Sequence, residues 1–235
     1  MLRLGGHCTL AIPCRAGYHC DVIKAVLWDN DGVLVDSEAI FFEVTRRFFA
    51  EAGVALPAEL WARGYLGDAR RSRDIGVELG IPEHAIDPLI ERRNARFREE
   101  LREVSPVRPG IVETLQALHG RVRQAIVTGA SREHVDLTHR TSGLLRFFEV
   151  IITTDDYELV KPHPDSYLAA LRRMKIAAED AIAVEDSPRG ARAALAAGVR
   201  CVVIPTSLSR LAEFPPEAQI EWDVRRLKEW IESCA

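Results

Sequence analysis

Residues 22–34 read VIKAVLWDNDGVL, a short apolar run that ends in two closely spaced carboxylates. An apolar run of this length, bounded by turn residues, is typical of a strand buried on both faces of a sheet. Asp29 stands where that strand should end, and Asp31 follows on a turn that Gly32 favours. A carboxylate at the end of a buried strand can attack phosphorus, and a second one nearby can exchange a proton with the leaving group. An ordinary turn is the alternative interpretation of this stretch alone, because Asp and Gly suit turn geometry.

The composition predicts a folded chain without general affinity for polyanions. Of its 235 residues, 47% are hydrophobic, which is enough for one domain with a large insertion or for two modest domains. The 31 basic and 35 acidic residues give a formal charge of -4, so nothing attracts nucleic acid or an anionic membrane globally. No stretch approaches the roughly 18 apolar residues of a membrane span. We therefore expect neither nucleic acid nor a membrane as a partner, and local capture of any substrate anion.

The beginning of the chain and its cysteines favour a reducing compartment. Residues 1–21 show neither a strand nor a helix period, which predicts an irregular tail, and they lack a clean signal-peptide cleavage site. The odd number of cysteines fits neither a paired disulfide framework nor common zinc-finger spacings. We therefore expect free thiols and a cytoplasmic location. The five cysteines are Cys8, Cys14, Cys20, Cys201 and Cys234.

Short apolar runs alternating with helical segments predict an α/β fold. Buried parallel strands separated by helices form a doubly wound, Rossmann-like sheet in three layers, α/β/α. Ligands of such sheets bind beyond the carboxyl ends of the strands. The predicted strands are residues 22–28, 122–127, 150–153, 181–184 and 201–204, with Cys201 a core thiol in the last. The predicted helices lie near residues 132–142, 165–174 and 188–197, and a closing amphipathic helix is predicted at 224–233.

A helical insertion separates the first predicted strand from the second. The intervening residues are too many for a crossover and carry helical spacing, notably at 40–52, 68–79 and 83–103. We assign residues 37–107 to a small helical cap domain beside the site. Such an insertion can gate access to the edge of the sheet, and a packing appendage is the alternative. The α/β core is then residues 22–36 and 108–235.

A hydroxyl and a glycine follow the second predicted strand. Residues 128–131 read TGAS and open a helix, so the Thr128 hydroxyl and the backbone N–H of Gly129 should face the edge of the sheet. Unpaired N–H groups at the start of a helix favour an anion. An ordinary helix cap by Ser131 is the alternative and is compatible with this function.

A lysine and an acidic pair follow later strands. Residues 160–165 read VKPHPD, so prolines stiffen the backbone around Lys161, and a rigid lysine can neutralise developing phosphate charge. Alone, it would be an ordinary surface charge. Glu185 and Asp186 come directly after the fourth predicted strand, before a helix that starts at a proline. Two acids there suit a hard cation, and helix capping is the alternative.

In this order, the aspartate pair with glycine, the Thr-Gly turn, the lysine beside proline and the acidic pair resemble the motifs of the haloacid dehalogenase-like hydrolase superfamily. The resemblance covers residue 22 to the end of the chain. The separation of Asp29 from Thr128 leaves room for that superfamily's helical cap. Residues 31–38 and 184–190 look like the branch that holds β-phosphoglucomutases and phosphoglycolate phosphatase-like enzymes.

The resemblance implies a role for each motif residue. Asp29 would be the nucleophile that forms an aspartyl-phosphate, and Asp31 the general acid and then base. Mg²⁺ would be the cofactor, because this cation prefers oxygen ligands of the kind that the motifs supply. The implied metal ligands are Asp29, the backbone carbonyl of Asp31, Glu185 and Asp186. The implied ligands of the phosphoryl oxygens are Thr128, the Gly129 N–H and Lys161.

Departures from the pattern separate the relatives within the superfamily. The presence of Asp31 argues for phosphate esters over halides, because a halide leaving group needs no proton. The mutases carry a cap-hinge histidine where this chain has Phe41, and phosphonatases use a cap lysine that residues 37–107 lack. Arg70 matches a substrate-contacting arginine of the mutases, although Arg71 and Arg73 beside it show how readily a helix carries surface arginines.

The sequence therefore predicts a Mg²⁺-dependent phosphatase that hydrolyses a small phosphorylated metabolite, a phosphosugar or a phosphoglycolate-like monoester. A phosphosugar mutase of the β-phosphoglucomutase type is the first alternative. A non-catalytic phosphoacceptor switch of the response-regulator type is a remote one, because the acidic pair precedes the acceptor in those domains and they have no cap.

Overall fold

The structure of the chain is a computed structural model, and it describes residues 23–103, 106–227 and 229. The tail predicted at residues 1–21, with its three cysteines, lies outside the described residues, as do Cys234 and part of the closing helix predicted at 224–233. Cys201 is a free thiol buried in the core, as predicted.

Six parallel strands form one sheet: β1 Ala25–Trp28, β2 Arg123–Val127, β3 Val150–Ile152, β4 Ala181–Glu185, β5 Arg200–Val203 and β6 Gln219–Ile220. Their order in the sheet is β3-β2-β1-β4-β5-β6. Consecutive side chains of β1 point to opposite faces and are all buried, with Leu27 in one hydrophobic cluster and Trp28 in the other. This two-sided burial is why the strands read as continuous apolar runs.

Helices cover both faces of this sheet, which confirms the predicted three-layer α/β fold. Tyr167 and Ala191 pack on one face of the sheet, while Ile111 and Leu115 pack on the other. The core helices are α5 Ile111–Leu118, α6 Arg132–Thr138, α7 Asp165–Met174 and α8 Pro188–Ala196. The sequence prediction missed α5 and β6. Helix α5 is short and directly follows a Pro-Gly pair, and β6 has only the residues Gln219–Ile220, too few for a period.

The helices between β1 and α5 pack around a hydrophobic cluster of their own, which contains Phe49, Trp61, Ile75 and Ile86. Leu208 of the α/β part joins the same cluster and links the two parts of the molecule. We call residues 37–103 the insertion. Its elements are α1 Ser37–Glu51, α2 Ala58–Leu60, a π-helical segment Trp61–Gly67, α3 Ser72–Glu78 and α4 Glu83–Glu103.

No helix in the described part of the chain has the length and apolar character needed to cross a bilayer.

Candidate active site

A cavity of about 630 Å³ lies at the carboxyl edge of the sheet. The strand order places β1 next to β4, the point at which the winding of the chain reverses and where open α/β sheets bind ligands. The insertion lines the opposite side of the cavity, including Phe41, Tyr65 and Phe97. Six of the residues predicted from the sequence line the cavity: Asp29, Asp31, Thr128, Gly129, Lys161 and Asp186.

Lys161 joins three groups at the base of the cavity. Its Nζ donates hydrogen bonds to Asp29 Oδ1 at 2.8 Å, Glu185 Oε1 at 2.6 Å and the Val127 carbonyl oxygen at 2.9 Å. Burial opposes the charge of this ammonium, but the carboxylates of Asp29 and Glu185 raise its pKa overall. All three donors of Lys161 are therefore held, and the ammonium is fixed as a cation beside Asp29.

Three carboxylates form a cluster that can hold a cation. Oxygens of Asp29, Glu185 and Asp186 lie within 4.8 Å of one another, and all three residues are buried. Asp186 Oδ2 is buried and has no hydrogen-bond partner among the described residues. Burial and the neighbouring acids raise the pKa of Asp29 to about 8 and that of Asp186 well above its ordinary value. An orphaned carboxylate oxygen among mutually repelling acids fits a hard divalent cation such as Mg²⁺.

Two glycines leave the room that this cluster needs. Gly32 adopts a positive φ of +87°, and a Cβ at this position would lie 2.2 Å from an Asp186 carboxylate oxygen. A Cβ on Gly190 would lie 2.1 Å from Glu185. Glycine is therefore required at both positions, because a side chain on Gly32 would displace the Asp186 carboxylate and one on Gly190 would displace that of Glu185.

The Glu185 side chain is held from behind the cluster. Its Oε1 accepts hydrogen bonds from Lys161 and from the Tyr167 hydroxyl, the latter at 2.7 Å. The Asp186 backbone N–H donates to its Oε2 at 3.3 Å. Glu185 is fully buried, and these bonds fix its orientation relative to Asp186.

The Asp31 side chain faces α6 and the start of α1. Its Oδ1 lies 2.7 Å from His134 Nε2 and accepts a short hydrogen bond from Ser37 Oγ. Thr128 Oγ1 lies 3.5 Å from Oδ2 of the same carboxylate. Burial favours protonation, but His134 and the hydrogen-bond donors outweigh it and lower the pKa of Asp31. The pKa of Asp31 is thus lowered and that of Asp29 is raised, the reverse of what the implied roles require once cation and substrate are bound.

Thr128 and Gly129 stand at the end of β2 as predicted. Thr128 Oγ1 accepts a hydrogen bond from the Ala130 N–H at 3.1 Å, and the Thr128 carbonyl accepts one from the Tyr157 hydroxyl at 2.9 Å. A Cβ on Gly129 would meet nothing within 4 Å, so the backbone here is open to the cavity. Ser131 caps α6 by accepting a hydrogen bond from the His134 N–H. The helix cap by Ser131 and the backbone of Gly129 that is open to the cavity thus occur together, so the two interpretations of residues 128–131 are compatible.

The structure does not bring Arg70 into this group. Its guanidinium forms an ion pair with Glu78 on the insertion, and Arg70 is not among the residues that line the cavity. Ala69 lines the cavity in its place, with a left-handed φ of 56°. The arginine that does line the cavity is Arg189, from the first turn of α8.

Among the polar residues of the cavity that sequence reasoning missed are His134, Glu38 and Arg189. The position of each residue in the first turn of a helix was a signal in the sequence that it could lie near the cavity. Both His134 and Arg189 lie in the first turn of a helix that follows a sheet strand, and Glu38 lies in the first turn of α1. First-turn residues of these helices are close to the carboxyl edge of the sheet. Whether their side chains face the cavity depends on packing that the sequence does not reveal.

The parallel sheet with its switch point, together with buried acids around a fixed lysine, defines an enzyme site for phosphoryl transfer. Residues 26–204 match the family model described as haloacid dehalogenase-like hydrolase. The chain belongs to this family.

Individual relatives extend over most of the chain. Protein CbbY of Cereibacter sphaeroides is 33% identical over 82% of this chain and 89% of its own length. The mitochondrial (DL)-glycerol-3-phosphatase 1 of Arabidopsis thaliana is 31% identical over 85% of this chain and 73% of its own length. A solved structure of mutant CbbY from Rhodobacter sphaeroides, in complex with xylulose-(1,5)bisphosphate, has a TM-score of 0.71 at 28% identity and covers 87% of this chain and 96% of that one. Phosphoric monoester hydrolysis is the enzyme class that these comparisons support.

Proposed function

We propose that this chain is a Mg²⁺-dependent phosphatase that hydrolyses small phosphorylated metabolites through an aspartyl-phosphate on Asp29. One observation carries the proposal: a single cavity gathers Asp29, Asp31, Thr128 and Lys161 with an acidic cluster that has an unsatisfied oxygen. Residues 37–107 would act as the cap over this cavity, with residues 22–36 and 108–235 as the core and residues 1–21 as the tail.

The first chemical step is transfer of the phosphoryl group to Asp29. A carboxylate oxygen of Asp29 forms a bond to phosphorus while the ester P–O bond breaks. The pKa of Asp31 is low in the free site, and the negative charge of the bound phosphoryl group would raise it, so that Asp31 takes up the proton that it then gives to the leaving alcohol. Lys161 is placed to balance negative charge beside Asp29, since its Nζ is 2.8 Å from that carboxylate. Thr128 and the Gly129 N–H would bind the other phosphoryl oxygens at the end of β2.

The second step returns Asp29 to its free form. Asp31 takes a proton from a water molecule, whose oxygen attacks phosphorus, and the bond between phosphorus and Asp29 breaks to release inorganic phosphate. The hydrogen bonds from Ser37 and His134 keep the Asp31 carboxylate at the edge of the cavity during both steps.

The acidic cluster supports a metal requirement. Asp29 and Asp186 with the carbonyl of Asp31 would hold Mg²⁺, and Glu185 would orient the set, since its Oε1 is already bonded to Lys161 and Tyr167. When bound, the cation supplies charge neutralisation for the transferring phosphoryl group.

The printed names of the relatives support the substrate class. One relative is named as a glycerol-3-phosphatase, and a solved neighbour holds a sugar bisphosphate. Small phosphorylated metabolites are therefore the substrates that we propose for this chain. A mutase activity is the alternative, although Phe41 occupies the position of the mutase hinge histidine. The Phe41 ring lies in a cluster of aromatic rings, with its centroid 4.9 Å from that of Phe97 and 5.6 Å from that of Tyr65.

The test is release of inorganic phosphate from p-nitrophenyl phosphate and from a panel of phosphorylated metabolites, with MgCl₂ or with EDTA. We expect turnover that needs Mg²⁺ and that the Asp29→Ala variant loses. Asp36→Ala, at an exposed aspartate nearby, is the matched control and should retain turnover. Full activity of Asp29→Ala would contradict the proposal. Isomerisation of a hexose phosphate that outpaces phosphate release would replace it with the mutase.

A further inference from the structure

One wall of the cavity is not used by the chemistry described above. Glu38 from the start of α1, Arg189 from the first turn of α8 and Tyr65 of the insertion line this wall. We propose that it is a hydroxyl-binding subsite in which Arg189 is a specificity-determining residue: its guanidinium and the Glu38 carboxylate bind hydroxyl groups on the alcohol portion of the substrate. This inference rests on the proposed function, because it concerns the alcohol side of the ester whose phosphoryl group Asp29 receives.

Arg189 has donors to offer. Its guanidinium lies 4.9 Å from the centre of the Tyr65 ring and donates a hydrogen bond to the Tyr65 carbonyl oxygen at 3.3 Å. A guanidinium carries five N–H donors in a planar fork, so this bond leaves others for a ligand. Burial opposes its charge, but the surrounding groups, which include Tyr65 and Glu38, raise the pKa of Arg189, and the side chain remains a cation.

Glu38 supplies an acceptor without a partner. The residue is only 7% exposed, and its Oε1 is buried with no hydrogen bond among the described residues. Burial raises the pKa of Glu38 to about 7, although the charge of Arg189 and the Trp61 indole lower it. The Trp61 N–H likewise has no hydrogen-bond partner in the described part of the chain. A buried acceptor without a partner is unfavourable, and a donor on a ligand would satisfy it.

A donor and an acceptor in one wall select for hydroxyl groups. A hydroxyl accepts from Arg189 and donates to Glu38, so it satisfies both. A second carboxylate or phosphate on the substrate would be attracted by Arg189 but repelled by the ionised form of Glu38. The rings of Phe41, Tyr65 and Phe97 line the same cavity and suit the C–H faces of a carbon chain or sugar ring. The wall therefore fits the phosphate ester of a polyol or sugar better than a phosphorylated acid.

A comparison of three substrates tests this assignment without any substitution. Glycerol 3-phosphate and n-propyl phosphate have the same carbon chain and differ in their hydroxyl groups, and 2-phosphoglycolate carries a carboxylate instead. We expect kcat/KM for glycerol 3-phosphate to exceed that for n-propyl phosphate by about tenfold or more, because a buried polar group left unpaired weakens binding of the analogue. Glycerol 3-phosphate should also exceed 2-phosphoglycolate. Equal values for the first two would overturn the inference.

A pair of arginine variants separates substrate binding from attachment of the insertion. Arg192, one turn after Arg189 on α8, donates to the Gly67 carbonyl of the insertion but does not line the cavity. Arg189→Met and Arg192→Met therefore each remove a hydrogen bond between α8 and the insertion. Only Arg189→Met should lower the ratio of kcat/KM between glycerol 3-phosphate and n-propyl phosphate, by about tenfold. Arg189→Lys should retain part of that ratio, because it keeps the charge but not the fork.

The outcomes that would overturn this inference differ from the one that would refute the proposed function. If Arg189→Met and Arg192→Met lower activity on both esters to the same extent, Arg189 only fastens the insertion and the inference is wrong. A preference for 2-phosphoglycolate that Arg189→Met abolishes would also overturn it, in favour of a remote anion. Should Arg189→Met fail to fold, the wild-type ratios and Arg189→Lys still decide. Absence of phosphate release from every ester would instead refute the proposed function itself.

Discussion

The Nζ of Lys161 lies 2.8 Å from Oδ1 of Asp29, and both side chains are almost completely buried. The same ammonium lies 2.6 Å from Glu185, so one cation balances two acids inside the molecule. Breaking a buried ion pair by removing one partner leaves an uncompensated charge and costs about 3–5 kcal/mol. The pair is thus a structural element of the site as well as a chemical one.

Lys161→Met should therefore destabilise the metal-free protein by about 3–5 kcal/mol. Lys24→Met is the matched control, because Lys24 forms an ion pair of equal length with Asp180 but its side chain is 58% exposed. An exposed pair of this kind contributes about 0–1 kcal/mol. Urea unfolding of both variants in EDTA would measure the difference. Equal losses of stability would show that the buried pair contributes no more than the exposed one.

Asp186→Asn should stabilise the protein in the absence of metal. The folded-state pKa of Asp186 is raised by burial and by its acidic neighbours, so the unfolded chain loses this proton at lower pH than the folded one. Stability is then lost as the pH rises from the unfolded pKa to the folded one, and an amide avoids that loss.

Thermal unfolding at pH 8 would measure this effect with EDTA and with MgCl₂. The wild-type melting temperature should rise with Mg²⁺, by mass action on the folded state, and that of Asp186→Asn should be higher in EDTA but no longer respond to the cation. Asp68→Asn, at an exposed aspartate of the insertion, serves as the control and should behave as wild type. A full Mg²⁺ response in Asp186→Asn would exclude this residue as a ligand.

Gly32→Ala should cost more stability than the backbone conformation alone explains. Gly32 and Gly53 have similar positive φ values, +87° and +79°, but a Cβ on Gly53 meets nothing within 4 Å, whereas one on Gly32 lies 2.2 Å from Asp186. Gly53→Ala should therefore lose about 1 kcal/mol from backbone strain. Gly32→Ala should lose more stability than that in urea unfolding, because the Asp186 carboxylate must move, and it should lose phosphatase activity as well. Activity of Gly32→Ala equal to that of Gly53→Ala would show that the carboxylate can move without consequence.

The sequence predicted those site residues whose positions are set by the carboxyl ends of strands. Asp29, Thr128 and Asp186 each come one or two positions after a buried apolar run, and parallel strands gather such positions at one edge. Arg70 was not predictable in this way. It follows the π-helical segment and a left-handed Ala69, so the helical spacing used for the insertion does not tell which way its side chain points. Arg189 was missed because its place in the cavity wall depends on Tyr65, which is distant in sequence.

Stability below neutral pH should depend on His139. This buried imidazole lies 2.7 Å from Asn30 Oδ1 through Nε2 and 2.9 Å from Ser142 Oγ through Nδ1. Burial lowers the pKa of His139 to about 4. The unfolded chain therefore binds a proton near pH 6.5, whereas the folded protein binds it only near pH 4. The stabilising contribution of neutral His139 is therefore fully present above pH 6.5 and is lost as the pH falls toward 4. At pH 5 the free energy of unfolding should have fallen by about 2 kcal/mol for this reason.

His139→Gln keeps a side-chain donor but cannot titrate, so it should remove this dependence. His134 works in the opposite direction, since its pKa is raised by Asp31 and its stabilising contribution is lost as the pH rises. The quantity to measure is therefore the difference between wild type and His139→Gln in the free energy of unfolding by urea, at pH 7.5 and at pH 5. We expect that difference to shift by about 2 kcal/mol in favour of the variant at pH 5. An unchanged difference would mean that the folded protein accommodates a charged imidazole beside Asn30.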